Sequence, residues 1–371
     1  MRPQCNAGEL RIEGPGRREV VARFDDGRMS SDGGAVLLRE ADRIVADGAA
    51  IDAQMVALFV AMQATAPAEI MLDLDATDAP VHGAQEGRFF HGYYGCYCYL
   101  ALYITCGDHV LRCRLRPAHV DAAAGAVDEL ATVVRQIRAH WPDTAIMVRA
   151  DSGFCREALM SWCESHDVDF VLGVAKSSRL RARIARQLER SRRRCLARGK
   201  ASRRYRSFRF RTLKSWSRSR RVVGKAEWLP GGNGANPRFV VTSLPAERFA
   251  ARALYEDLYC ARGDMENRIK EQQLDLFADR TSSSGMAANQ LRLYFSAFAG
   301  ILMQAIREFG VKGTALARVQ FATLRLRLLK IAGSIKVTAR RVWLSLSSVH
   351  PWREPFMRVA TNLQSARASP G

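Results

Sequence analysis

Carboxylates that end separate elements are the residues of this chain best suited to chemistry. Ile70, Leu72 and Leu74 alternate with Asp73 and Asp75, the period of a β-strand whose second face carries two acids, and Asp78 follows. A short apolar strand from Ala145 to Arg149 ends at Asp151-Ser152-Gly153, and Glu266 stands on a helical stretch. Three or more carboxylates from separate elements can clamp two hard divalent cations about 4 Å apart, one activating a nucleophile and one stabilising the leaving oxygen of a phosphodiester. Acids at strand ends are also common turn formers, so spacing alone leaves both readings open.

The helix around Glu266 says more. Tyr255, Tyr259, Arg262 and Glu266 recur at steps of four, three and four and share one face, beside an apolar stripe of Leu254, Leu258, Met265 and Ile269 that would dock on a sheet. An Arg one turn before a metal-binding Glu can orient it or meet a phosphate, and a Tyr one turn earlier can hydrogen-bond a DNA backbone. The same residues would also serve as an ordinary i,i+4 surface pair on an amphipathic helix.

The elements that must position these residues follow from periodicity. Residues 1 to about 35 are polar and Gly-rich, and a helical stretch runs from Ala35 to about Ala64. The strand from Glu69 is followed by a β-hairpin (Tyr93 to Thr105, then Val110 to Leu115), a helix from about Ala122 to His140, the Ala145 strand, a helix from about Arg156 to His166 and the strand Asp169 to Val174. That order predicts an α/β fold, a mixed sheet flanked by helices as in ribonuclease H-like domains. A helix to about Leu196, a strand-like run from Tyr205 to Leu229 and a last strand, Phe239 to Ser243, come next. The final third reads as helical from Ala250, with an apolar helix from Met286 to Phe309, a basic helical stretch from Thr323 to about Ser347, and a poorly ordered tail after Pro351.

Charge points to the partner. The chain carries 57 Lys and Arg against 37 Asp and Glu, a formal +20, which suits a polyanion. Lys176 to Lys225 holds 21 of the bases and one acid, Glu189, leaving 36 against 36 elsewhere. Leu180, Ile184, Phe208, Phe210 and Trp216 interleave with that charge, which favours a folded phosphate-contacting surface over a solvated run. Arg203, Arg204, Arg209 and Arg211 are the candidate contacts within it. Nine cysteines form neither a CxxC pair nor a zinc spacing and read as reduced thiols. The start lacks an apolar leader, and the longest uncharged apolar stretch, Leu293 to Ile306, is too short for a bilayer. The expectation is a cytoplasmic, nucleoid-associated protein without a membrane partner.

Longer strings then carry a resemblance. Leu72-Asp73-Leu74-Asp75-Ala76-Thr77-Asp78 with Pro80-Val81-His82-Gly83, Arg149-Ala150-Asp151-Ser152-Gly153-Phe154, and Tyr259-Cys260-Ala261-Arg262-Gly263-Asp264-Met265-Glu266-Asn267-Arg268-Ile269-Lys270 resemble the transposases of the insertion-sequence-1380 group. Phe277-Ala278-Asp279-Arg280-Thr281-Ser282 and Asn289-Gln290-Leu291-Arg292-Leu293 are similar to the same group, so the resemblance spans Ala68 to about Arg341. It implies a DDE-type bacterial transposase with a ribonuclease H-like core. The triad falls on Asp75, Asp151 and Glu266, holding two Mg²⁺ or Mn²⁺ ions. Asp75 is preferred over Asp73 because the group places its first acid in an Asp-x-Thr pattern, and Asp73 remains a rival on the same face. The implied partners are double-stranded DNA, as element ends and target, and a second copy in a homodimer.

The resemblance also implies an organisation: a shortened N-terminal region 1–67, a first core part 68–175, a basic β-rich insertion 176–245, a second core part 246–310 with the Glu266 helix, and a basic helical C-terminal region 311–371. Two departures stand out. Gln273 occupies the place of a lysine seven residues after the acid, leaving Lys270 as the substitute phosphate contact, and the stretch between Arg43 and Ala68 is short. The second makes a catalytically impaired DNA-binding relic the alternative, beside a ribonuclease H-like nuclease.

Overall fold

The computed structural model describes residues 9–13, 19–26, 51–231 and 234–368. Backbone proximity divides the chain into two compact units, one built from Ala66–Ile269 and Asp279–Tyr294, the other from Met1–Thr65, Lys270–Ala278 and Phe295–Gly371.

The chain opens with strands β1 (Glu9–Glu13) and β2 (Glu19–Asp26) and helix α1 (Ile51–Ala61). Two strands therefore lie within the stretch read as polar and Gly-rich. Of the helix expected from Ala35 to Ala64, the part before Ile51 lies outside the described residues.

The first unit is built on β3 (Glu69–Pro80), β4 (Phe89–His91), β5 (Cys96–Cys106), β6 (His109–Arg114), α2 (Ala126–His140), β7 (Ala145–Ala150), α3 (Glu157–Ser165) and β8 (Asp169–Val174). β3 and β7 pair in parallel, as do β7 and β8, while β5 runs antiparallel to β3 and to β6. The spatial order β6-β5-β3-β7-β8 is the ribonuclease H-like mixed sheet expected from the sequence. The parallel strands are covered on both faces, which is why Ile146-Met147-Val148 and Phe170-Val171-Leu172 read as continuous apolar runs. Leu130, Val133, Val134 and Ile137 of α2, at helical spacing, are buried.

Residues 176–245 extend this sheet. After α4 (Ser178–Arg183) and α5 (Ala185–Arg198) come β9 (Ser202–Phe210), β10 (Arg220–Leu229), β11 (Gly234–Ala235) and β12 (Arg238–Thr242). β12 pairs antiparallel with β8, β10 with β12, and β9 with β10, so the sheet reaches ten strands. The run expected as one strand from Tyr205 to Leu229 is thus two, with Phe208 opposite Val222. It breaks where the Thr212 hydroxyl accepts the Trp216 N–H at 2.7 Å and closes a turn.

The C-terminal part contains α6 (Gly263–Lys270), α7 (Met286–Ala305), β13 (Gly333–Val337), β14 (Arg341–Ser347) and α8 (Arg353–Ala368). Two expectations are corrected here. The stretch expected to be helical to Ser347 leaves the helix after Leu329 and forms the β13–β14 hairpin, in which β14 also pairs in parallel with β2. Its Val342, Leu344 and Leu346 recur at period two, and tertiary burial of Leu344 and Leu346 outweighs local helix propensity. The tail expected to be disordered forms α8, whose Phe356, Val359, Ala360 and Leu363 are buried at i, i+3, i+4 and i+7.

Candidate active site

The parallel register of β3 and β7 ends at Leu74 opposite Ala150, so Asp151 leaves β7 at its carboxyl edge beside Asp75, which does not end its strand as expected but stays within β3, paired with Tyr103 of β5. That edge is where α/β sheets place their ligands. The Asp75 side chain is 19% exposed and its Oδ1 accepts the Ala76 N–H at 3.0 Å. Asp151 Oδ1 accepts the Gly153 N–H at 2.8 Å and starts the 3₁₀ turn Ser152–Phe154.

Glu266 reaches the same place from α6. Arg262 Nη2 donates to Glu266 Oε1 at 2.8 Å, and Arg262 Nη1 lies 3.6 Å from Asp75 Oδ2. The second distance is too long for a hydrogen bond, and this buried Nη1 has no other partner. One guanidinium therefore divides its charge between two acids. Burial, opposed by Arg262 and reinforced by the charges of Asp151 and Glu266, pushes the Asp75 carboxyl up to about 6. Tyr259 lies one turn earlier, its phenol raised by burial. A Cβ at Gly173 would stand 2.5 Å from the Tyr259 hydroxyl and 2.9 Å from the Ser152 nitrogen. Glycine at position 173 is what lets the tyrosine approach the Asp151 turn.

A buried ion pair fixes the helix to the strands. Arg149 on β7 donates from Nε and Nη2 to Asp73 Oδ1 and Oδ2 on β3 at 2.6 and 2.7 Å, and from Nη1 to the Leu258 carbonyl at 2.6 Å. Leu258 lies in the π-helical turn Leu254–Tyr259, which passes through the 3₁₀ turn Cys260–Arg262 into α6. Asp73, the rival to Asp75, is thus consumed by a bidentate arginine. Arg149 had a legible signal, a lone cation inside an apolar strand, but the residue it would meet could not be read from local spacing.

Asp75, Asp151, Tyr259, Arg262 and Glu266 come together. Lys270 belongs to the other compact unit. The four arginines of the insertion do not act alike. Arg203, Arg209 and Arg211 are exposed, whereas Arg204 points to the opposite face of β9 and is half-buried. Arg203 pairs with the buried Glu227 at 2.5 Å, which Lys225 and Asn236 also hold. Exposed Arg186, Arg190, Arg194 and Arg198 on α5, not singled out from the sequence, add to the basic surface.

Oxygen donors with surplus negative charge suit a hard cation in kind. Among the described residues no three Asp, Glu, His or Cys side chains converge closely enough to hold an ion by themselves. Asp75, Asp151 and Glu266 are the donors that could hold a cation only with water or phosphate oxygens completing its shell. A model of the transposase DDE domain, group 1, matches residues 45–368. The chain belongs to that family. Its members generally use divalent metals. No curated protein matches the chain. Among solved structures, the transposase domain is similar to a cryo-EM structure of a piggyBac transposase synaptic complex with hairpin DNA, at TM-score 0.38 and 13% identity, over 82% of this chain and 53% of that one. The chain thus spans about half the length of that relative. No helix among the described residues is long and apolar enough to cross a membrane.

Proposed function

We propose that this transposase domain cuts phosphodiester bonds at the ends of an insertion sequence and joins the freed ends to target DNA, with Asp75, Asp151 and Glu266 as its catalytic carboxylates. The observation that carries the reading is the Asp75 carboxyl, buried beside two further acids from separate elements and only half answered by Arg262. Such an arrangement is unfavourable for folding alone and makes sense as a cation seat.

Two Mg²⁺ or Mn²⁺ ions held by these acids would activate the attacking oxygen and stabilise the leaving one. In cutting, a water oxygen bonds to phosphorus, the P–O3′ bond breaks, and the strand leaves as a 3′-hydroxyl. In joining, that hydroxyl attacks a target phosphodiester and displaces another 3′-oxygen. Arg262 and Tyr259 would meet the scissile phosphate, and Lys270, Arg204, Arg209 and Arg211 would contact the DNA backbone, joined by Arg203 only where its ion pair with Glu227 opens. A homodimer would hold the two ends. The test is a cleavage assay of the whole chain with Mg²⁺ or Mn²⁺ on DNA carrying the element's own ends, beside a scrambled control. Cutting confined to the true ends supports the proposal; equal cutting of both DNAs makes the protein a nuclease, and binding without cutting makes it a relic.

A further inference from the structure

We propose that the β4–β5 ribbon tip is a stacking platform for unpaired DNA bases beside the cut, an inference that rests on the DNA-directed reading above. Between Arg88 and Tyr97 the sequence places Phe89, Phe90, His91, Tyr93, Tyr94 and Tyr97, six rings in ten residues. They lie on an edge ribbon in which Phe90 faces Tyr97, closed by a turn where the Gly95 N–H bonds the His91 carbonyl at 2.8 Å and Gly95 takes φ +68°.

The rings point outward. Phe89 is 42% exposed, Phe90 58%, Tyr97 50% and Tyr93 86%. Phe89 lies on the opposite face of the ribbon from Phe90 and packs on His119 at 4.1 Å, but Phe90, Tyr97 and, at the turn, Tyr93 leave exposed rings on a single ribbon tip, which marks a surface that awaits a partner. They are also pre-arranged: Phe90 meets Tyr97 edge-on at 5.6 Å, and the Arg88 guanidinium lies 4.9 Å from the Tyr97 ring centre. Flat rings with a guanidinium are the chemistry that stacks nucleobases irrespective of sequence.

Position chooses the occupant. Tyr94, half-buried against Ala76 and the cluster of Cys98, Leu100 and Ala118, donates its hydroxyl to the Ala76 carbonyl at 3.2 Å. Ala76 follows Asp75 directly. Tyr94 therefore ties the ribbon that carries the exposed rings to the residue after Asp75, beside the place where a cut strand would expose its terminal bases. A paired duplex offers those rings only its edges and backbone, whereas an unpaired tract offers base faces.

The experiment is fluorescence anisotropy of the whole chain on a blunt duplex and on the same duplex carrying a single-stranded tract of about six nucleotides, with 2-aminopurine in the tract. Wild type is expected to bind the tract DNA more tightly and to quench the probe. The double variant Phe90→Ala/Tyr93→Ala is expected to lose at least about tenfold on the tract DNA and the quenching, with duplex affinity unchanged. Tyr93→Trp is expected to keep both. Tyr94 is left intact because it anchors the ribbon. Equal loss on both DNAs, no loss, or a shift from dimer to monomer in sedimentation without a change in tract binding would overturn the platform. Wild type that cuts the element's ends yet binds both DNAs equally sinks the platform alone; wild type that binds neither sinks the DNA-directed reading with it.

Discussion

Asp73 and Asp75 stand two residues apart on one face of β3 and differ in how completely their charge is answered. Asp73 receives two short hydrogen bonds from a buried arginine, whose third donor is taken by a backbone carbonyl. Asp75 receives one backbone N–H and a guanidinium at 3.6 Å that it shares with Glu266. A fully answered buried acid is a structural joint, because nothing is left over for a ligand. An under-answered one in a cluster of like charge retains its appetite for a cation.

The largest effect should come from the under-answered side. Asp151→Asn is expected to lower strand cleavage by about a thousandfold or more, the equivalent of several kcal/mol of transition-state stabilisation, while DNA binding persists. Gel assays of cleavage and binding on one preparation decide this, and retained cleavage would remove Asp151 from the catalytic cluster around Asp75.

The joint is broken by Arg149→Ala, which strands Asp73 in the interior and should destabilise the protein by about 3–5 kcal/mol in denaturant titrations. Replacing both partners, Asp73→Leu with Arg149→Met, should recover most of that loss. If the double replacement is no better than the single one, the pair does more than hold the helix.

A smaller and opposite effect is expected from Asp75→Asn. Because the native carboxyl is raised to about 6, the native state holds its proton more tightly than the unfolded chain does. Stability therefore falls as pH rises through the window from about 4 to about 6, and the full penalty is present above it. Without added metal, Asp75→Asn should raise unfolding free energy by about 3 kcal/mol at pH 8 and leave it nearly unchanged at pH 3.5. Arg262→Gln should move the window upward, since Arg262 lowers the Asp75 carboxyl. Thermal melts across pH check both, and a gain that grows as pH falls would reverse the argument.

The smallest effect concerns the basic extension of the sheet. Arg209→Gln and Arg211→Gln should each lower the slope of log affinity against log salt by about 0.9 on any DNA sequence. Arg203→Gln should instead lower stability, because Glu227 loses a partner. A fall in slope for Arg203→Gln equal to the other two would mean that its ion pair opens to the DNA.

The order of strands and helices from Glu69 to Val174 was legible because hydrophobic period, Gly turns and strand length agreed there. Asp151 at the end of its strand was legible for the same reason, whereas the first strand runs on to Pro80 because β5 continues to pair with it, so Asp75 lies inside the strand and not at its end. Which of Asp73 and Asp75 is free was not legible, since a period of two puts both on one face and only the register with Arg149, 76 residues away, separates them. The β13–β14 hairpin was misread for a related reason, as its strands are short, basic and paired with β2 from the opposite end of the chain. The motif Asn289-Gln290 was recognised without its role. Asn289 is wholly buried and donates to the Ser283 carbonyl, fixing the loop that enters α7, while Gln290 bonds Cys113 and Leu115 and clamps α7 to the β5–β6 hairpin.

The pairing of β12 with β8 reaches beyond geometry. It covers the outer edge of β8, where Val171 to Val174 would otherwise present an apolar row of open backbone donors and acceptors. Bare edges of that kind recruit strands from other molecules. A shortened copy lacking the insertion would then be lost to aggregation before its catalysis could be judged, so the segment that supplies the basic surface also keeps the core strands from one another.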